Sequence, residues 1–212
     1  TLFKANFNFN PSSDGVLWVQ KIEDPSAFGV VKLNDQGVIT DYIEKPKEFV
    51  SDLAMIGIYY FKSGETLHNE LQFLIDQNII KGGEYQLPDV LRNMTEKGLQ
   101  FTPGTVDEWL DCGNKNATVF TNQRVLEIKK STEQLVHPTA QLNNTVIIEP
   151  CYIGENAVLS NCVLGPHVSV GPNTSISNSV VENTIIQDHA TLQNAVVSNS
   201  MIGAYAQVKG KA

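Results

Sequence analysis

From about residue 138 onward the sequence repeats itself. NNTVIIEPCYIGENAVLS, NCVLGPHVSVGPNTSIS, NSVVENTIIQDHATLQ and NAVVSNSMIGAYAQVKG align on Asn143, Asn161, Asn178 and Asn194, at steps of 18, 17 and 16 residues. An aliphatic residue returns every five or six positions: Ile153, Leu159, Leu164, Val170, Ile176, Val181, Ile186, Leu192, Val197, Ile202 and Val208. Helical periodicity is absent here. A three-sided coil needs one inward aliphatic per flat side and a small residue to turn each corner, so about 18 residues close a rung. Ala157, Cys162, Thr174, Ser179, Thr184, Ala190, Ala195, Ser200 and Ala206 supply the small residues. About four rungs are expected over residues 140 to 210. Links of five residues in place of six predict rungs that are imperfect or skewed.

The first half has another texture. GVLWVQK (15–21), FGVVKLN (28–34), GVITDYIEK (37–45) and AMIGIYYF (54–61) are β-branched and aromatic, and turn signals such as DP and NDQG separate them. These predict strands. ETLHNELQFLIDQNI places Leu67, Leu71 and Leu74 or Ile75 at helical intervals, and PDVLRNMTEKG opens on Pro88 and closes on Gly98, which predicts two helices. Asn114 is positioned to cap a third, NATVFTNQRVLEIKKS, with its basic residues late, where they suit the negative helix end. The expected organisation is therefore an α/β portion over 1–115, a connector helix and linker over 116–137, and the coil over 138–212.

Composition narrows the classes. The net charge is -8 and no Lys/Arg cluster exceeds a pair, which argues against nucleic acid and against an acidic membrane surface. No apolar run approaches the roughly 20 residues of a membrane helix. Cys112, Cys151 and Cys162 are an odd set without CxxC spacing, so neither a disulfide framework nor a zinc site is indicated. A reducing cytoplasm is the expected compartment.

Several polar phrases call for more than local structure, though each has a plain alternative. EKP (Glu44, Lys45, Pro46) closes a predicted strand, where a carboxylate and an ammonium leave the sheet edge together; a solvated turn would read the same. GGEYQLPD (82–89) puts two glycines and Glu84 before a helix, as a capping turn also would. Gly29, inside the FGVV strand, marks either a bulge or the close approach of a ligand. Asp111, in DEWLDCGNKN (107–116), reads as a loop carboxylate beside Gly113 or as a metal ligand at the point where a helix begins.

Two resemblances join these pieces. IGENA, VGPNT and IGAYA stand close to the [LIV]-G-x-x-[AST] phrase of hexapeptide-repeat, left-handed parallel β-helices. DPSAFGVV, EKP, GIYYF, GEYQLPD and WLDCGN, in this order and at these distances, resemble the second half of the sugar-1-phosphate nucleotidyltransferase catalytic domain. The thymidylyltransferase and related uridylyltransferase branches, many with such a coil, are the nearest in pattern. The implied fold is the C-terminal part of a Rossmann-like domain, a mixed sheet with flanking helices, followed by the coil. The implied reaction joins a nucleoside triphosphate to a sugar 1-phosphate, with Mg²⁺, and releases pyrophosphate.

By the same resemblance Asp111 matches an aspartate that helps hold Mg²⁺, a hard ion that favours carboxylate oxygen. Lys45 matches the lysine on the sugar phosphate, and Glu44 the glutamate that accepts from sugar hydroxyls. Gly29 matches the glycine whose backbone lies against the sugar, while Tyr59 and Trp109 would line its pocket. Glu84 falls on the glutamate of GE-x-x-[IL]-T-D, although Pro88 stands at the threonine position. Some members carry a basic residue two positions before that glutamate; here that position is Gly82, with Lys81 one step away.

The family's G-x-G-[TS]-R-L-x-P loop, whose amides cradle phosphates, is not found in these residues. TLFKANF resembles the residues immediately after the family's second metal aspartate, which would stand just before Thr1. The resemblance thus implies the C-terminal part of a longer enzyme, and a chain that does not catalyse transfer by itself. A homo-oligomer is expected. Two rivals remain: a non-catalytic assembly or effector-binding module, since a coil has flat faces and open ends, and acyl transfer through His167 or His189, which sit at corner-type positions without a long inserted loop.

Overall fold

The computed structural model describes residues 2–5 and 12–210. The chain packs as two compact units, Thr1–Trp109 and Leu110–Ala212. The first unit holds strands β1 (Leu2–Ala5), β2 (Gly15–Lys21), β3 (Gly29–Leu33), β4 (Ile39–Glu44), β5 (Leu53–Phe61) and β6 (Phe101–Leu110). They form one mixed sheet in the order β1-β6-β2-β5-β3-β4. β2 runs parallel to β6 and antiparallel to β5, and β3 is antiparallel to β4 and β5. Helices α1 (Gly64–Asp76) and α2 (Leu87–Glu96) lie between β5 and β6 in sequence.

Alternation along β2 sends its residues to two cores. Leu17 and Val19 pack with Val90, Leu91 and Met94 of α2, and Val16 and Trp18 pack with Ile56 on the opposite face. Each fully buried aliphatic of this kind contributes about 1.5–3 kcal/mol. The four expected strands are found within a residue or two.

Two expectations are corrected. Of the run WLDCG, read as a loop, Trp109 and Leu110 are the end of β6, and only Asp111 onward is loop. Pro103, Gly104, Asp107 and Glu108 are poor strand formers, and the ladder from Gly15↔Phe101 to Val19↔Thr105 overrides their preference. Gly104 is required there, because a Cβ would lie 2.8 Å from Trp18 Nε1. In α1, Leu74 is buried but Leu71 and Ile75 are 40% and 51% exposed. The position beneath the helix is taken by Glu70, whose Oε1 lies 2.6 Å from Lys97 Nζ and whose Oε2 accepts from Asn93. A paired carboxylate, which no hydrophobic period reveals, replaces the expected apolar residue.

The second unit opens with α3 (Lys115–Lys129), capped as expected: Asn114 Oδ1 accepts the Ala117 N–H at 3.0 Å. A parallel β-helix of four turns follows. Its first face stacks Gln141–Asn143, Val158–Ser160, Ser175–Ser177, Thr191–Gln193 and Gln207–Lys209. The second stacks Val146–Ile147, Val163–Leu164, Val180–Glu182 and Val196–Ser198, and the third Cys151–Ile153, Val168–Val170, Ile185–Ile186 and Met201–Ile202. Nine of the expected inward aliphatics, from Ile153 to Ile202, are buried in one continuous core, and Val197 and Val208 pack against it.

Asparagines with positive φ turn many of the corners, Asn161, Asn178 and Asn194 among them. Their amides form a ladder: Asn144 donates to Asn161 at 2.7 Å, Asn161 to Asn178 at 3.3 Å, and Asn178 to Asn194 at 3.2 Å. The first step is therefore from Asn144, not Asn143, which instead pairs with Ser160. The five-residue links leave the rungs unequal in length, as expected, without skewing the faces. Leu164 stacks on Val181, 17 residues on, and Ser169 on Ile185, 16 residues on, so the corner between them absorbs the difference.

Candidate functional site

In the first unit the antiparallel β3–β4 ladder sets Gly29 directly across from Glu44. Gly29 is buried, and a Cβ on it would meet Met55 Cε at 2.6 Å and Glu44 Oε2 at 2.8 Å. Only a glycine leaves room for that carboxylate. The ladder ends one residue later, where the Lys45 N–H donates to Phe28 O at 3.1 Å. Lys45 has φ 43°, in the left-handed region that a non-glycine residue enters at a cost of about 1–2 kcal/mol. Glu44 is half-buried and Lys45 exposed, so the pair leaves the sheet edge as a carboxylate held against β3 followed by an ammonium in the open.

Tyr59, on β5, packs against the helix-side core and is half-buried. Burial, and secondarily the charge of Glu44, push its phenol above the ordinary value. It stays protonated across the physiological range and can donate. Gly29, Glu44, Met55 and Tyr59 thus converge on one side of the sheet. Trp109, at the end of β6, packs against the opposite core, edge-on to Phe28 with ring centroids 5.1 Å apart. Its buried Nε1 has no hydrogen-bond partner among the described residues. Tyr59 and Trp109 therefore stand against different cores.

Glu84 is exposed, in a turn closed by reciprocal Lys81–Glu84 backbone hydrogen bonds of 3.1 and 3.2 Å. It stands apart in sequence from Glu44 and Tyr59, but behind it lies a charge cluster that local spacing did not single out. Asp89 is 8% exposed, and its Oδ1 lies 2.5 Å from Lys81 Nζ and 2.7 Å from Arg92 Nη1. The Asp89/Arg92 spacing of three residues on a helix was the available signal.

Asp111 follows β6 at the start of the second unit. It is partly exposed, its Oδ2 accepts the Gly113 N–H at 3.0 Å, and its carbonyl accepts the Thr121 hydroxyl at 2.6 Å. Those two bonds fix the turn into α3. Among the described residues, no cluster of three or more His, Cys, Asp and Glu side chains could hold a metal. Thr1, expected to follow a second aspartate, lies outside the described residues.

The coil histidines are engaged elsewhere. His167 Nε2 lies 2.8 Å from Glu127 Oε1 of α3, and His189 stacks on Tyr205 at 4.8 Å with nearly parallel rings. Both have positive φ, as corner residues do.

Comparison with known proteins gives this arrangement a context. The chain is 27% identical, over 202 residues, to the glucose-1-phosphate thymidylyltransferase of Streptomyces antibioticus, covering 88% of this chain and 55% of that protein. It is 28% identical to the low-salt glycan biosynthesis nucleotidyltransferase Agl11 of Haloferax volcanii, covering 90% and 57%. It is 26% identical to the catalytic subunit beta of mannose-1-phosphate guanylyltransferase of Drosophila melanogaster, covering 97% and 54%. The chain spans about half the length of these curated relatives. Residues 7–128, which carry the Gly29/Glu44 pairing, Lys45, the Glu84 turn and Asp111, match the nucleotidyl transferase family over more than half of the chain, and the chain belongs to that family.

Proposed function

We propose that this chain supplies the sugar-phosphate side of a sugar-1-phosphate nucleotidyltransferase. The observation that carries the reading is the Gly29/Glu44 pairing: a half-buried carboxylate seated against a glycine of the neighbouring strand, with an ammonium one residue on. A hydroxyl-rich anion suits it. Glu44 accepts from sugar hydroxyls, Tyr59 donates, Gly29 leaves room for the Glu44 carboxylate, and Lys45 meets the phosphate. An oxygen of that phosphate attacks the α-phosphorus of a nucleoside triphosphate in line; the new P–O bond forms as the bond to the bridging oxygen breaks, and pyrophosphate leaves with its electron pair.

The difficulty of the step is electrostatic, since two anions meet while charge moves to the leaving group. Asp111 fits one ligand of Mg²⁺, which is commonly held by one or two carboxylates plus substrate phosphates. When bound, Mg²⁺ would neutralise phosphate charge during the transfer. The names of the relatives point to hexose 1-phosphates as the substrate class.

The test is calorimetric titration of glucose 1-phosphate into the chain, its Lys45→Ala variant and its Glu44→Gln variant. Each substitution should weaken binding on the order of ten-fold, the scale of one charge-assisted contact. Unchanged affinity in both variants would overturn the proposal.

A second reading, assembly through the coil, is favoured by one observation. On the second face Val146, Val163, Val180 and Val196 stack in register, and Val146, Val180 and Val196 are exposed. They form an apolar stripe beside the asparagine ladder, flat enough for a second copy. We place a homo-oligomer contact there. We read the compartment as a reducing cytoplasm, consistent with free thiols at Cys112, Cys151 and Cys162.

A further inference from the structure

Asp89 is the buried hub of a charge network whose arms end at two separate stretches of the candidate sugar site. One arm is Lys81: its ammonium lies 2.5 Å from Asp89 Oδ1, and its backbone closes the turn that carries Glu84. The turn is further held by Gln86 Nε2, which donates to Lys81 O at 3.3 Å. The other arm is Arg92, whose Nη1 donates to the same Asp89 oxygen at 2.7 Å. The rest of its guanidinium grips β4: Nη2 donates to Tyr42 O, and Nε lies 3.3 Å from Asp41 Oδ1. Tyr42 and Asp41 immediately precede Ile43, Glu44 and Lys45.

The network has a cost that a merely decorative ion pair would not carry. Asp89 Oδ2 is buried without a hydrogen-bond partner, so all of the carboxylate's pairing runs through Oδ1. Tyr42, locked by a 2.9 Å hydrogen bond between its hydroxyl and Thr95, adds a second tie between β4 and α2. A single carboxylate therefore sets the Glu84 turn and the end of β4 against the same helix.

We propose that Asp89 is a positioning residue for sugar-phosphate binding, acting through Lys81 on Glu84 and through Arg92 on Glu44 and Lys45. The inference rests on the sugar-phosphate reading above. Glu70, an equally buried carboxylate paired with Lys97 and Asn93, supplies the control, because its network joins α1 to α2 and reaches neither stretch.

The experiment compares the chain with its Asp89→Asn and Glu70→Gln variants by glucose 1-phosphate titration and by hydrogen exchange. Asp89→Asn should weaken binding on the order of ten-fold, as small displacements of a binding group do, while Glu70→Gln leaves it unchanged. In Asp89→Asn the amides of Lys81, Glu84 and Lys45 should exchange faster together, with the β2–β5 ladder unaffected. Equal weakening by both variants, or none by either, overturns the proposal, because the role would then be general packing. If the unsubstituted chain binds no glucose 1-phosphate, the sugar-phosphate reading fails and exchange alone decides. Joint loosening of residue 45 and residues 81–84 then supports the coupling, and a response confined to the start of α2 overturns it.

Discussion

Gly29 bears on the site through the side chain it lacks. The two atoms that a Cβ would meet, Met55 Cε and Glu44 Oε2, are the far ends of flexible side chains, and Gly29 does not need a positive φ. Gly29→Ala should therefore fold, at an overpacking cost of about 1–3 kcal/mol, while turning the Glu44 carboxylate away from its place. The expected result is a melting temperature only modestly lowered and a glucose 1-phosphate affinity reduced on the order of ten-fold. A variant that melts normally and binds normally would show that the space beside Gly29 is not used. At this scale the sequence was informative about which residues carry charge near a strand end, and silent about what holds them. Asp89 lies within GGEYQLPD and Arg92 on the helix expected after it, but the closure of Arg92 on β4 spans 50 residues of sequence, and no local spacing encodes it.

At the level of elements, periodicity found what it measures. Four of the six strands of the first unit were legible as β-branched and aromatic runs between turn signals, and the coil's inward aliphatics because burial selects one residue in five or six. The expected α1 stripe was wrong in part because a buried ion pair substitutes for a leucine, and β6 was missed because cross-strand pairing outweighs proline and glycine. α3 owes its place in the second unit to polar contacts of the same unreadable kind. Asn122 accepts from Ser169 at 2.6 Å and donates to His167 O at 3.2 Å, and Glu127 meets His167. Lys130, and then His167, hold the Glu127 carboxyl below its ordinary value. A depressed carboxylate stabilises the fold above its unfolded-state value, and the contribution is lost as pH falls through the lowered one. Glu127→Gln should thus lower the unfolding temperature at neutral pH, and the difference from the unsubstituted chain should disappear well below the usual carboxylate range. A difference that persists in acid would place the effect elsewhere.

For the molecule as a whole, family membership and the architecture of each unit could be read early because both are ordered patterns extending over many residues. The contacts that act on individual atoms were not in those patterns. The net charge of -8 sets a condition on self-association: copies repel unless they meet where charge is sparse. The valine stripe of the coil is such a place. Val180→Lys combined with Val196→Lys should convert an oligomer into monomers in sedimentation velocity, with little change in melting temperature, since both side chains are already exposed. An unchanged sedimentation coefficient would move the contact off this face.

The corner around Gly165 and Pro166 carries a different kind of consequence. The second rung spends one residue more there than the third, and the flat faces on either side keep their partners. Length change in such a protein is thereby confined to particular codons. Over evolutionary drift, single-codon gains and losses can accumulate where the chain turns, whereas the same event inside a face would rotate every later side chain of that face out of the core.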